Sequence, residues 1–141
     1  MDAPASRPCM VIQGVWFLSP REALATLNQG ALLVDLRSED LLAMKTFSVP
    51  EWIHIPHTEL EDRAAELPKD RFIILADTAG VYTKPAIAAL RALGFEQLAC
   101  LNGGMLAWDQ EGFPVATDLD ALLHGECACV MRSRKDRSAQ G

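Results

Sequence analysis

Ile73-Ile74-Leu75-Ala76 is an apolar run that empties into Asp77-Thr78-Ala79-Gly80-Val81-Tyr82, after which Thr83-Lys84 opens a helical pattern. A strand that passes through a short glycine-bearing loop into a helix makes an anion cradle. The backbone N–H groups of the loop and of the first helical turn converge on whatever sits between them. The residues Asp77, Thr78, Ala79, Gly80, Val81, Tyr82 and Thr83 are therefore the candidate site, and the first of them is itself a carboxylate. Two readings of Asp77 follow from its type and place. It either turns inward and accepts the loop N–H groups, imitating a bound anion, or starts the helix while facing water.

Two enzyme chemistries use an aspartate after an apolar strand. An aspartyl phosphatase needs a partner acid two residues on, but position 79 is alanine, and Lys84 is the main nearby cation. Asp77-Thr78-Ala79-Gly80 also looks like the magnesium–water loop of a GTPase. The chain has no Gly-x-x-x-x-Gly-Lys-Ser/Thr phosphate loop to go with it.

The other nucleophiles are Cys9, Cys100, Cys127 and Cys129, too scattered for a disulfide framework and expected as thiols in a reducing compartment. Cys100 lies in an apolar strand pattern and reads as core. Cys127-Ala128-Cys129 precedes the basic run Arg132-Ser133-Arg134-Lys135-Asp136-Arg137, a setting that lowers thiol pKa values and makes this pair the redox or sulfur-accepting candidate. His124 extends it to three potential metal ligands, one short of a closed zinc site, so no metal and no cofactor are expected. His54 and His57 flank a strand with no dyad partner identifiable and read as structural or exposed. Tyr82 and Trp52 are expected at the mouth of the loop.

The elements that must position these residues alternate between strand and helix. Val15–Leu18 reads as a strand, Ser19-Pro20-Arg21-Glu22 as a capping box with proline at the first helical position, and Gly30 as the stop. Residues 31–36 form a continuous apolar run expected of a strand buried on both faces. A short helical segment runs from Ser38 to Lys45 and a third strand from Trp52 to Ile55. A capped helix is expected from Thr58 to near Pro68, a fourth strand over Arg71–Ala76 and a helix over Thr83–Leu93 closed by Gly94. Gln97–Leu101 and Met105–Gln110 complete the pattern as strand and helix. The expected fold is α/β, a central and mainly parallel five-stranded sheet with helices on both faces.

Length 141 accommodates one well-cored domain. We divide it into an N-terminal arm (1–14), a domain (15–117), and a C-terminal stretch (118–141) with a short helix over Leu119–His124 and a polar, basic and disordered tail. The net charge of −6 argues against a nucleic-acid binder, and no apolar run approaches a membrane span, so no nucleic acid and no membrane are expected as partners. The N-terminus shows no positive region followed by an apolar core, and a cytoplasmic location is the expectation.

Three segments in order resemble the single-domain rhodanese (sulfurtransferase-like) family. They are Leu33-Val34-Asp35-Leu36-Arg37, the loop Asp77–Thr83, and Leu101-Asn102-Gly103-Gly104-Met105-Leu106-Ala107-Trp108 with Gly112-Phe113-Pro114-Val115. Ala89–Phe95 also matches the family's helix and turn behind the loop. The resemblance covers roughly Val15 to Ala116. It implies a loop Cys-x-x-Gly-x-Arg-Ser whose cysteine carries sulfur as a persulfide. Aligned on Gly80, that cysteine corresponds to Asp77, the arginine to Tyr82 and the serine to Thr83. The family's Gly-His-Ile-Pro-Gly-Ala segment aligns with Phe47–Trp52 and retains only Pro50. The expectation is a variant inactive as a thiosulfate sulfurtransferase, binding an unknown protein or small anion at the loop. The alternative is sulfur transfer or redox chemistry at Cys127 and Cys129.

Overall fold

Runs of uninterrupted apolar residues form the centre of the sheet, because only a strand covered on both faces buries every position. The computed structural model describes residues 10–12 and 15–117. Strands β3 (Leu32–Asp35), β6 (Ile73–Ala76) and β7 (Leu98–Leu101) are buried at every residue. With β1 (Met10–Ile12), β2 (Val15–Leu18) and β5 (Trp52–His54) they make a six-stranded sheet in the order β1-β2-β7-β6-β3-β5. The five strands from β2 to β5 are parallel, as expected. β1 adds an antiparallel edge, Met10 opposite Phe17, within the stretch read from sequence as an arm.

Side-chain alternation sorts the strands onto two faces. Val34, Leu75 and Cys100 join Leu60, Ile87 and Leu90 from α3 (Leu60–Arg63) and α4 (Thr83–Ala92). Leu33, Ile74 and Ala99 join Leu27 and Trp108 from α1 (Pro20–Asn28) and α5 (Gly104–Gln110) on the other face. The capping box forms as expected: Glu22 N–H donates to Ser19 Oγ at 3.2 Å, and Ser19 N–H to Glu22 Oε1 at 3.0 Å. Helix α2 (Glu39–Met44) also falls where the pattern put it.

Two local expectations are corrected. The single capped helix from Thr58 is instead a 3-10 turn (His57–Glu59), the four-residue α3 and a second 3-10 turn (Ala64–Glu66). Thr58 lies inside the first turn, so it cannot serve as the extended N-cap that a capping box requires. A ribbon of β4 (Lys45–Phe47) and β8 (Val115–Thr117) was also not anticipated. Three-residue strands give too short a pattern to separate from loop. Phe47 of this ribbon meets Trp108 edge-on at 5.4 Å, and Trp108 Nε1–H donates to Pro114 O at 2.7 Å.

Candidate active-site loop

Strand β6 delivers Asp77 to the carboxyl end of the parallel sheet, where open α/β sheets place their sites. Asp77 is 2% exposed. Its Oδ1 accepts the Gly80 N–H and its Oδ2 the Tyr82 N–H, the latter at 2.6 Å. Tyr82 is the residue that caps α4, so the carboxylate lies at that helix's positive end. Of the two sequence readings, the water-facing one does not describe this side chain. Gly80 has φ +94°, a left-handed conformation that allows the loop to fold back over Asp77. Thr83, fully buried, donates from Oγ1 to Gly80 O at 3.3 Å and ties the loop to the helix. Thr78, Ala79, Val81 and Tyr82 are exposed.

The outer side of the loop is held by α5. Met105 N–H donates to Asp77 O at 2.8 Å and Leu106 N–H to Thr78 O at 3.0 Å. Gly104 makes this approach possible, since a Cβ there would lie 2.3 Å from Asp77 O and 2.7 Å from Thr78 C. One helix N-terminus thus serves the loop's carbonyls, while the loop's own N–H groups serve the Asp77 carboxylate.

Among the described residues the cysteine near this loop is Cys100. It pairs in register with Leu75, and Asp77 follows Leu75 by two on the same face. Burial pushes the Cys100 thiol up to about 11; a hydrogen bond with Thr83 works against this, and the charge of Asp77 adds to it. It is a protonated core group, as its apolar strand pattern suggested. The sequence did not show that it lies beneath the loop, because strand register is not written in one strand.

Asp35 and Arg37 form a buried bidentate pair, with Arg37 Nε to Asp35 Oδ1 at 3.0 Å and Nη2 to Oδ2 at 2.8 Å. Arg37 Nη2 also reaches Lys45 O at 2.8 Å, and His54 Nε2 bonds Arg37 O at 2.6 Å. The pair and His54 are framework for the carboxyl edge of the sheet. His57 stacks on Tyr82 with ring centroids 3.8 Å apart. Trp52 is not at the mouth: it is in register with Leu33 and packs on the α1/α5 side, because β5 presents it to the face opposite Asp77. Cys9, His124, Cys127, Cys129 and the basic run lie outside the described residues. Among the described residues no group of three or more His, Cys, Asp or Glu could hold a metal, and no helix is long and apolar enough to cross a membrane.

The Rhodanese-like domain family model matches residues 19–111, more than half of the chain, and the protein belongs to that family. A sulfurtransferase of Allochromatium vinosum is 30% identical over 88 residues, 62% of this chain and 80% of that protein. The thiosulfate sulfurtransferase GlpE of Pseudomonas syringae is 29% identical over 91 residues, covering 64% of this chain and 84% of the relative. Among solved structures, a rhodanese-related protein from Thermoplasma volcanium superposes with a TM-score of 0.63 at 23% identity, covering 70% of this chain and 95% of the other. The Rhodanese-like domain of an Anabaena protein gives 0.62 at 26% identity, with 70% and 76% coverage.

Proposed function

We propose that this Rhodanese-like protein is a binding module whose sulfur-carrying position is filled by Asp77. The observation that carries this reading is the carboxylate accepting the Gly80 and Tyr82 N–H groups. In a sulfurtransferase those donors stabilise a thiolate and then the persulfide it forms on attacking a sulfane sulfur. A carboxylate forms no persulfide, and here it consumes the donors itself. Tyr82 in place of the family's arginine removes a fixed cation that would draw an anionic donor. Cys100 does not replace the missing nucleophile, since its thiol stays protonated under the loop. Recognition then falls to the exposed surface around the loop, in a cytoplasmic setting where the thiols stay reduced.

The test is thiosulfate-to-cyanide sulfur transfer by the full chain, beside Asp77→Cys and a Cys127→Ser/Cys129→Ser double variant. We expect wild type at background and Asp77→Cys at least about ten-fold above it, the nucleophile type being what the cradle lacks. Wild-type activity that vanishes with the two tail cysteines would transfer the chemistry to Cys127 and Cys129 and refute the module reading.

A further inference from the structure

Beside the loop, between α4 and the His57–Glu59 turn with α3, lies a groove of about 210 Å³. Leu60, Pro85, Ala86 and Ala89 give it an apolar strip, beside the polar Thr58 and His57, with Leu60 and Ala86 largely buried. Short alanine side chains on α4 leave the space that larger residues would fill. Its rim carries Glu61 and Asp62, both exposed, and no lysine or arginine lines it. The neighbouring acids are already committed, Glu59 and Glu66 to Arg63 at 3.2 and 3.0 Å. Glu61 and Asp62 have no ion-pair partner among the described residues. The stacked His57 and Tyr82 rings close the end nearest the cradle, and Val81, 68% exposed, continues the apolar surface over the loop.

Pockets for small molecules and cofactors run to roughly 300–1,000 Å³, so this volume suits one or two side chains of a polypeptide. Its charge selects their kind. Two carboxylates at the edge of a slot with an apolar strip complement a cation whose aliphatic stem, or aliphatic neighbour, lies on that strip. The chain's net charge of −6 adds long-range attraction for a basic partner.

We propose that this groove receives a segment of a partner protein carrying a lysine or arginine next to an aliphatic side chain. The cation sits at Glu61 and Asp62, and the aliphatic group against Leu60 and Ala86. The proposal rests on the reading of the domain as a binding module and gives that module's partner its chemistry.

The full chain, immobilised, is panned against a phage library of short random peptides, in parallel with Glu61→Gln/Asp62→Asn. Both substitutions are at exposed positions, and equal melting temperatures verify the fold. The expected winners carry Lys or Arg beside Leu, Ile or Met. A synthetic copy of the best one should bind wild type about ten-fold tighter than the double variant by fluorescence anisotropy at low salt. The difference should narrow at high salt, and amide shifts should move at Leu60, Ala86 and Ala89. No enrichment, or winners that are acidic or wholly apolar, would overturn the proposal. Basic winners that bind both proteins equally would overturn the groove while leaving the module reading intact; sulfur transfer by wild type would remove that reading instead. A synthetic copy of residues 131–140 that outbinds every winner would overturn the assignment to a partner, giving the groove to this chain's own basic segment.

Discussion

At the scale of single residues, the Asp77 carboxylate accepts the N–H groups of Gly80 and Tyr82 from its own loop. Removing it leaves the Gly80 and Tyr82 N–H groups without their acceptor in a part-buried loop, and an orphaned buried donor costs about 1–3 kcal/mol, less where water reaches it. Asp77→Ala should therefore lower unfolding free energy by about 2–4 kcal/mol in urea titrations. Added sulfate should recover part of that loss in the variant and do little for wild type, because only the emptied cradle has donors to offer an anion. Cys100 supplies a pH signature beneath the same loop. Its folded thiol holds its proton up to about 11, above the ordinary value of 9.0. Between those values the unfolded chain has lost a proton that the folded chain keeps. This residue's contribution to stability is thus complete below about pH 9 and declines as pH rises through 11. Relative to Cys100→Ala, wild type should lose ~2–3 kcal/mol over that interval, measured by denaturant unfolding at each pH. A thiol reagent at pH 8 should leave native Cys100 unmodified while reacting once the chain is unfolded.

At the scale of elements, the loop is held between two helices with different tasks. The first turn of α4 faces the Asp77 carboxylate, and the first turn of α5 satisfies Asp77 O and Thr78 O. The second contact depends on a glycine at 104, where φ is +61° and a Cβ would overlap the loop backbone. Gly104→Ala should cost about 2–4 kcal/mol, from backbone strain and lost packing together. Hydrogen exchange should quicken at Met105 and Leu106 and also at Gly80 and Tyr82, since moving α5 off the loop releases the Asp77 peptide they share. Unchanged exchange in the loop would show that the two helices act independently. The broken segment over His57–Glu66 is the counterpart on the groove side: its short turns put Glu61 and Asp62 at the rim, while Leu60 and Ala64 face the core.

For the whole molecule, the five parallel strands supply the core, and the Asp35–Arg37 pair fastens the β4–β8 ribbon to it. Arg37 reaches from the end of β3 to Lys45 O and lies 5.5 Å from the centre of the Phe47 ring. Arg37→Leu would leave the buried Asp35 carboxylate with only the backbone N–H of residue 37 as a partner and would remove the bond to Lys45 O in the ribbon. A loss of about 3–5 kcal/mol is expected in chemical denaturation. Asp35→Asn/Arg37→Leu should be milder than Arg37→Leu alone, because the stranded charge is then gone. Equal losses would mean that the ribbon contacts, rather than the ion pair, dominate.

Periodicity and punctuation carried most of the architecture. Apolar runs such as 31–36 and 73–76 gave fully buried parallel strands, and Ser19 with Glu22 gave a capped helix, because these signals act over neighbouring residues that meet in any fold. The loop, its glycine and its carboxylate were legible for the same reason: Asp77, Gly80 and Tyr82 lie within six residues of one another. What local sequence does not encode is register and face. The placement of Cys100 under Thr83, of Trp52 on the far side of the sheet, and of Glu61 and Asp62 beside α4 all depend on contacts between segments well separated in the chain. Strand pairing and helix docking settle those together with the rest of the core. The sequence by itself determined a parallel α/β domain with an aspartate at the head of the loop between β6 and α4. Only the tertiary structure decided that this aspartate turns inward onto the loop's N–H groups, because α4 and α5 must both be in place before the loop has an inside.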